Sequence, residues 1–302
     1  MVTTNKVLGV TMHQIPLLDP RRDVVFKTIF SKDTIEASIA RNSLISAFLG
    51  RKIQESAVIN NEIPIDDIRD KSSRLDLQCV LEDNTKVNIE IQMYNASDSI
   101  ENRLTYYTSQ LYAGQAIKGK PFTELKEVYV ILISNETLFP KRKHHFSKVC
   151  YRFEDGEEFC TKQYIMILEL QKMTDTSNIE MESVEKWGTF FTNASNERKK
   201  ELLEQLKKTD EGIYMASTLL ERISQDEKER AVIFEREKIL TDYYAGLASA
   251  EQQGIKQGKE EGMEEGIKKR NLEIAAIMKS QGFAIEQISN ITGLTEQEIQ
   301  KA

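Results

Sequence analysis

The chain is 302 residues long, 40% hydrophobic and 29% charged, with a net charge of −7, the profile of an ordinary soluble protein with room for two or more units. That negative balance excludes a protein that holds nucleic acid by bulk electrostatics, but admits an enzyme that meets DNA through a local basic surface and a metal-neutralised site. No apolar run approaches the roughly 20 residues of a bilayer span, the first residues lack the apolar stretch of a signal peptide, and three cysteines, Cys79, Cys150 and Cys160, cannot all pair, so the expectation is a cytoplasmic protein with no membrane partner.

Residues 1–18 show no periodicity and read as an arm. Asp19-Pro20 can open a helix, with Asp as the cap and Pro at the first helical position. Val24, Phe26, Ile29 and Phe30, then Ile35, Ile39, Leu44, Ile45 and Phe48, fit one or two amphipathic helices ending near Gly50. Asp23 and Lys27 stand one helical turn apart, the spacing of an exposed ion pair worth little energy. Residues 53–65 read as a strand that runs into the acidic turn DDIRDKSS.

Arg74 to Met93, RLDLQCVLEDNTKVNIEIQM, carries the pattern of a β-hairpin. Leu75, Leu77, Cys79 and Leu81, then Val87, Ile89, Ile91 and Met93, share one face; Asp76, Gln78, Asn88, Glu90 and Gln92 share the other. A loop of Asp83-Asn84-Thr85 sets Gln78 opposite Glu90 and Asp76 opposite Gln92. Asp76 and Glu90 then become diagonal neighbours, roughly 7–8 Å apart at the backbone. Two carboxylates so placed repel unless a hard divalent cation such as Mg²⁺ takes oxygens from both. The plainer alternative is a hairpin with one wet polar face.

Residues 100–117 read as a long helix that buries Leu104, Tyr107, Leu111 and Ala113. Arg103, Tyr106 and Gln110 form a polar stripe beside that face. The stripe is either solvated or, through Arg103 and Gln110, in contact with phosphate oxygens. Glu127 to Ser134, EVYVILIS, is a continuous apolar run that suits a central strand covered on both sides. Lys141, Arg142 and Lys143, followed by His144, His145 and Lys148, make the concentrated basic patch. It is a solvated loop or the place where a DNA backbone approaches. The spacing of His144, His145, Cys150 and Cys160 matches none of the familiar zinc patterns. Gln163 to Leu170 resembles a last strand, at an edge of the sheet.

Beyond about Lys172 the composition turns to Glu, Lys and Leu, and residues 178–245 read as several helices, with Trp187, Phe190 and Phe191 available for docking. Gly254, Gly258, Gly262 and Gly266 recur every four residues. They suit either a self-association helix or a charged linker. Residues 271–302 read as helix, turn, helix, turn, helix. Ile274, Ile277 and Met278 form one apolar stripe and Ile285, Ile288 and Ile291 the next; Gly282 ends a helix, and Thr295 with Glu298 forms a capping box. Glu296 and Glu298 on the last helix disfavour base readout, so an interaction or dimerisation module is at least as good a reading.

Asp76 and Glu90-Ile91-Gln92 resemble the core of the PD-(D/E)XK nucleases, in the variant where Gln replaces the usual Lys. The resemblance takes in Asp23-Val24-Val25-Phe26-Lys27 upstream, and Arg103-Leu104-Thr105-Tyr106-Tyr107, Gln110-Leu111-Tyr112, Gly119 and Val128-Tyr129-Val130-Ile131 downstream. In combination these are similar to the recombination-promoting nuclease and transposase branch of that superfamily. The resemblance implies a restriction-endonuclease-like α/β sandwich core followed by an α-helical C-terminal region. It implies a DNA endonuclease with Asp76, Glu90 and Gln92 as catalytic residues. Mg²⁺ or Mn²⁺ would be held by Asp76, Glu90, the Ile91 backbone carbonyl and, from the first helix, Asp23. DNA would meet Arg103, Gln110, Lys27, Lys141, Arg142 and Lys143. The expected division is an arm at 1–18, a nuclease-like domain at 19–175, a helical region at 176–250 and a tail at 251–302, with homo-oligomerisation through the C-terminal helices. The competing reading keeps the nuclease fold without cleavage, as an oligomeric interaction module.

Overall fold

A computed structural model describes residues 15–59, 77–93, 99–115, 119, 121–173 and 181–302. The chain forms two compact units, residues 1–234 and 235–302. Among the described residues no helix is long and apolar enough to cross a membrane.

Among the described residues the first unit is built on a sheet of six strands. Its strands are β1 (Ser56–Val58), β2 (Leu77–Leu81), β3 (Lys86–Gln92), β4 (Val128–Ser134), β5 (Phe146–Arg152) and β6 (Glu158–Glu169), in the order β1-β2-β3-β4-β6-β5. The β3–β4 and β4–β6 pairs are parallel and the others antiparallel. Every residue of β4 is buried, as its unbroken apolar run predicts for a strand with neighbours and cover on both sides.

One face of the sheet is covered by α3 (Ile100–Ala113), whose Ile100 and Leu104 pack on Val130, Leu132 and Ile167. The other side carries α1 (Asp23–Phe30) and α2 (Ile35–Leu49), with α1 packed on β3 and α2 on β1. Thr34 caps α2 by accepting from the Ala37 N–H, and Gly50 ends it in the left-handed conformation at φ 67°, which glycine adopts without steric cost. Behind them lie α4 (Ser183–Asn193), α5 (Lys200–Thr209) and α6 (Glu211–Gln225). Trp187, Phe190 and Phe191 of α4 are fully buried, and Trp187 meets Phe30 at 5.7 Å between ring centroids. The docking role expected of these aromatics is therefore realised. Residues 15–18 lie against α6, where the Leu18 N–H donates to Ser224 Oγ at 2.9 Å.

Two expectations are corrected, and one strand is new. The first helix opens at Asp23, with Arg22 as its N-cap, because the Asp19 carboxylate closes a turn by accepting from the Arg21 N–H at 2.9 Å instead of capping a helix. The strand expected at the edge, β6, is internal, since β5 pairs outside it. Nothing in the sequence reading announced β5: only Ser147 of its seven residues is buried, so a charged edge strand writes no apolar alternation.

The long helix α7 (Glu227–Ser280) begins in the first unit. In the second unit it is followed by α8 (Ile285–Thr292) and α9 (Glu296–Lys301). Gly282 and Gly293 take positive φ between the helices, and the Thr295–Glu298 capping box forms. The small core consists of Ala275, Ile288, Leu294 and Ile299, flanked by Leu272 and Met278. Of the expected apolar stripes, Ile277, Ile285 and Ile291 instead face solvent, outside the cluster that Ala275, Ile288, Leu294 and Ile299 close.

Candidate active site

The hairpin of β2 and β3 closes one residue earlier than expected. Leu81 N–H donates to the Thr85 carbonyl and Asn84 N–H to the Leu81 carbonyl, both at 2.9 Å. The loop is therefore Glu82-Asp83-Asn84, with Asn84 left-handed at φ 66°, as a three-residue hairpin loop requires. Gln78 consequently pairs with Asn88, not Glu90. The loop keeps an odd length, so parity survives: Leu77, Cys79, Leu81, Val87, Ile89 and Ile91 are all buried on the core face. Asp76, and with it the Asp76–Gln92 pairing, lies outside the described residues.

The opposite face of β3 is not wet. Asn88 is 1% and Glu90 8% exposed, because the parallel register sets Asn88 beside Val130 and Glu90 beside Leu132, on the face that α3 covers. A carboxylate so buried needs a positive or hydrogen-bonding partner. Arg103, in the first turn of α3, supplies one: its Nη2 donates to Glu90 Oε1 and to Gln92 Oε1, each at 2.8 Å. The helix is aimed by Ser99, which caps it by accepting from the Asn102 N–H.

Gln92, Ser134 and Glu169 lie side by side at the carboxyl ends of the three parallel strands, the end of such a sheet at which ligand sites are usually found. The Asn135 N–H donates to the Gln92 carbonyl at 2.8 Å, so the segment that leaves β4 starts beside Gln92. Its course is held by Glu169, which is fully buried and accepts from the N–H groups of Leu138 and Phe139 at 2.7 and 2.9 Å. Lys172 donates to Glu169 and to the Phe139 carbonyl. The same segment carries Lys141, Arg142 and Lys143, all exposed; Arg142 Nε also reaches Ser147 Oγ at 3.2 Å.

Arg21 and Asn135 went unremarked in the sequence. Arg21 Nη1 donates to Asn135 Oδ1 at 2.7 Å, while its Nη2 meets Asp19 at 2.7 Å. The available signal was Asn135's position directly after a buried parallel strand. Asp23 starts α1 with both carboxylate oxygens shielded from solvent, and Lys27 is half-buried one turn later. Gln110 is exposed on α3, roughly 10 Å along the helix from Arg103.

Among the described residues no three His, Cys, Asp or Glu side chains form a metal-binding group. What is present still fits a divalent cation in kind. A carboxylate oxygen of Glu90 and the amide oxygen of Gln92 converge on one positively charged nitrogen, and such oxygens are the donors that hard cations take, with water completing the shell of Mg²⁺.

A family model described as PD-(D/E)XK nuclease family transposase matches residues 20–250. Neither the curated proteins nor the solved structures yield a match.

Proposed function

From the premise that the chain belongs to the PD-(D/E)XK nuclease family transposases, we propose that it is a divalent-metal-dependent DNA endonuclease that hydrolyses phosphodiester bonds, in a setting of recombination or mobile DNA. The observation that carries this reading is the convergence of Glu90 and Gln92 on the same Arg103 nitrogen at the carboxyl ends of the parallel strands. A basic segment is rooted beside them.

Glu90, Asp76 and the Ile91 carbonyl would hold the ion, with Asp23 as a further carboxylate from α1. Mg²⁺ or Mn²⁺ would supply there the charge that polarises a phosphate and lowers the pKa of an attacking water. Gln92 orients that water or a phosphate oxygen through its amide; being neutral at every pH, it transfers no proton. Lys141, Arg142 and Lys143 meet the DNA backbone from the loop, and Lys27, Arg103 and Gln110 from the helices, each as a local contact in a chain of negative net charge.

The test is plasmid nicking by the full chain in Mg²⁺ or Mn²⁺. Glu90→Gln keeps the shape and an acceptor for Arg103, so the fold is retained and the melting temperature moves by only a few degrees. Nicking falls on the order of a hundredfold or more, the scale of losing several kcal/mol of charge stabilisation. Equal nicking by both proteins assigns the activity elsewhere.

One observation favours a second reading. Arg103 already neutralises Glu90, which suits a nuclease fold that no longer cleaves and assembles through its C-terminal helices. Complete absence of nicking in either metal supports it.

A further inference from the structure

The pairing of Arg103 with the site acid deepens the endonuclease reading and rests on it. One nitrogen, Arg103 Nη2, bridges Glu90 Oε1 and Gln92 Oε1 at 2.8 Å each. The first belongs to a carboxylate that a divalent ion would take, the second to the amide that would orient the water or a phosphate oxygen. The salt bridge is largely withdrawn from solvent, with side-chain exposures of 22% for Arg103 and 11% for Glu90, so water screens it little. Cation and guanidinium thus need the same Glu90 carboxylate, and their like charges repel.

Arginine has an equally good alternative partner in this setting. Its planar fork of donors matches a phosphate as well as a carboxylate. Arg103 lies on α3 one residue past Asn102 and three before Tyr106, both of which are exposed, so its helix borders solvent on the side from which a polyanion arrives. We propose that Arg103 is an exchangeable counter-ion. In the free protein it occupies Glu90 and Gln92 and opposes metal binding; on contact with DNA it transfers to a phosphate, releasing Glu90 to the cation and Gln92 to its orienting role. Metal loading and DNA binding then favour one another reciprocally, because each relieves the other's competitor.

The test reads metal uptake, not cleavage. Mn²⁺ is titrated into the metal-free full chain and free ion is followed by electron paramagnetic resonance. Arg103→Gln is expected to bind Mn²⁺ roughly tenfold more tightly than the wild type, the scale of removing one like charge a few ångströms away at a partly buried site. A second readout needs no variant. Phenylglyoxal labelling of Arg103 in the wild type, mapped by mass spectrometry, should be slow without metal and rise with Mn²⁺. Unchanged or weaker Mn²⁺ binding by Arg103→Gln, or labelling that Mn²⁺ leaves unaltered, overturns the exchange. If neither protein takes up Mn²⁺, the exchange and the metal reading fall together. If Mn²⁺ binds but Glu90→Gln nicks like the wild type, only the endonuclease assignment at this site fails.

Discussion

Cys79 sits at 0% exposure on the core face of β2, and burial pushes its thiol up to about 12 despite the opposing charge of Arg41. At a pH near the ordinary thiol value of about 8.5, iodoacetamide should therefore leave Cys79 unmodified in the folded protein. It should alkylate Cys79 fully in urea, as read by peptide mass mapping; rapid native labelling would contradict the placement. Arg41 itself was not legible in the sequence. It falls within a helix that reads as amphipathic, yet it is 3% exposed and spends its donors on Ser56 Oγ and the Phe30 and Ser56 carbonyls at 2.8–2.9 Å. Glu90 and Gln92 were legible because a strand alternates, and alternation is a local property. Arg103's attachment to them was not, since it depends on how a helix eleven to thirteen residues away lies across the sheet. The sequence suggested phosphate as its partner; the structure pairs it with the Glu90 carboxylate.

At the scale of elements, the hairpin shows what a pattern decides and what it leaves open. Parity told which residues face the core, and the burial of Leu77, Cys79, Val87 and Ile89 agrees. The register needed the turn geometry, and Asn84's left-handed backbone moved it by one loop residue. The α9 capping box was likewise legible from Thr295 and Glu298, but its ion pair with Lys268 at 2.9 Å comes from a helix some thirty residues upstream. Donation by Lys268, followed by the Thr295 N–H and hydroxyl, holds the Glu298 carboxyl at about 2, below the ordinary 4.5. A folded-state value below the unfolded one contributes stability above about 4.5 that is lost as pH falls towards 2. An acid titration followed by the methyl signals of Ile288 and Ile299 should show that loss in the wild type. Glu298→Gln should not show it; identical acid profiles would remove the pair's role. The Glu298 side chain is partly exposed, so added salt weakens the effect.

For the molecule as a whole, the fold class was within reach because a buried apolar run, an acid-bearing meander and a long crossover helix admit few arrangements. The extent of each unit was not. Composition changes near residue 172, yet α4 and α6 pack on α2, and α5 on both of them, within the first unit. The change of composition marks a switch from sheet to helix, which need not be a boundary of the core. In the second unit, Gly254, Gly258, Gly262 and Gly266 lie within α7, and among the described residues a Cβ at any of them would meet nothing within 4 Å. Replacing Gly258 or Gly262 by Ala should stabilise the helix by about 1 kcal/mol each, seen as slower hydrogen exchange of amides 254–266. Unchanged exchange, or a loss of stability, would mean that the bare backbone is occupied in solution. The consequence of those four positions is thermal. On warming, α7 should loosen first around these glycines, each of which weakens a helix by about 1 kcal/mol relative to Ala, so continuity along the helix is expected to fail there before its ends unfold.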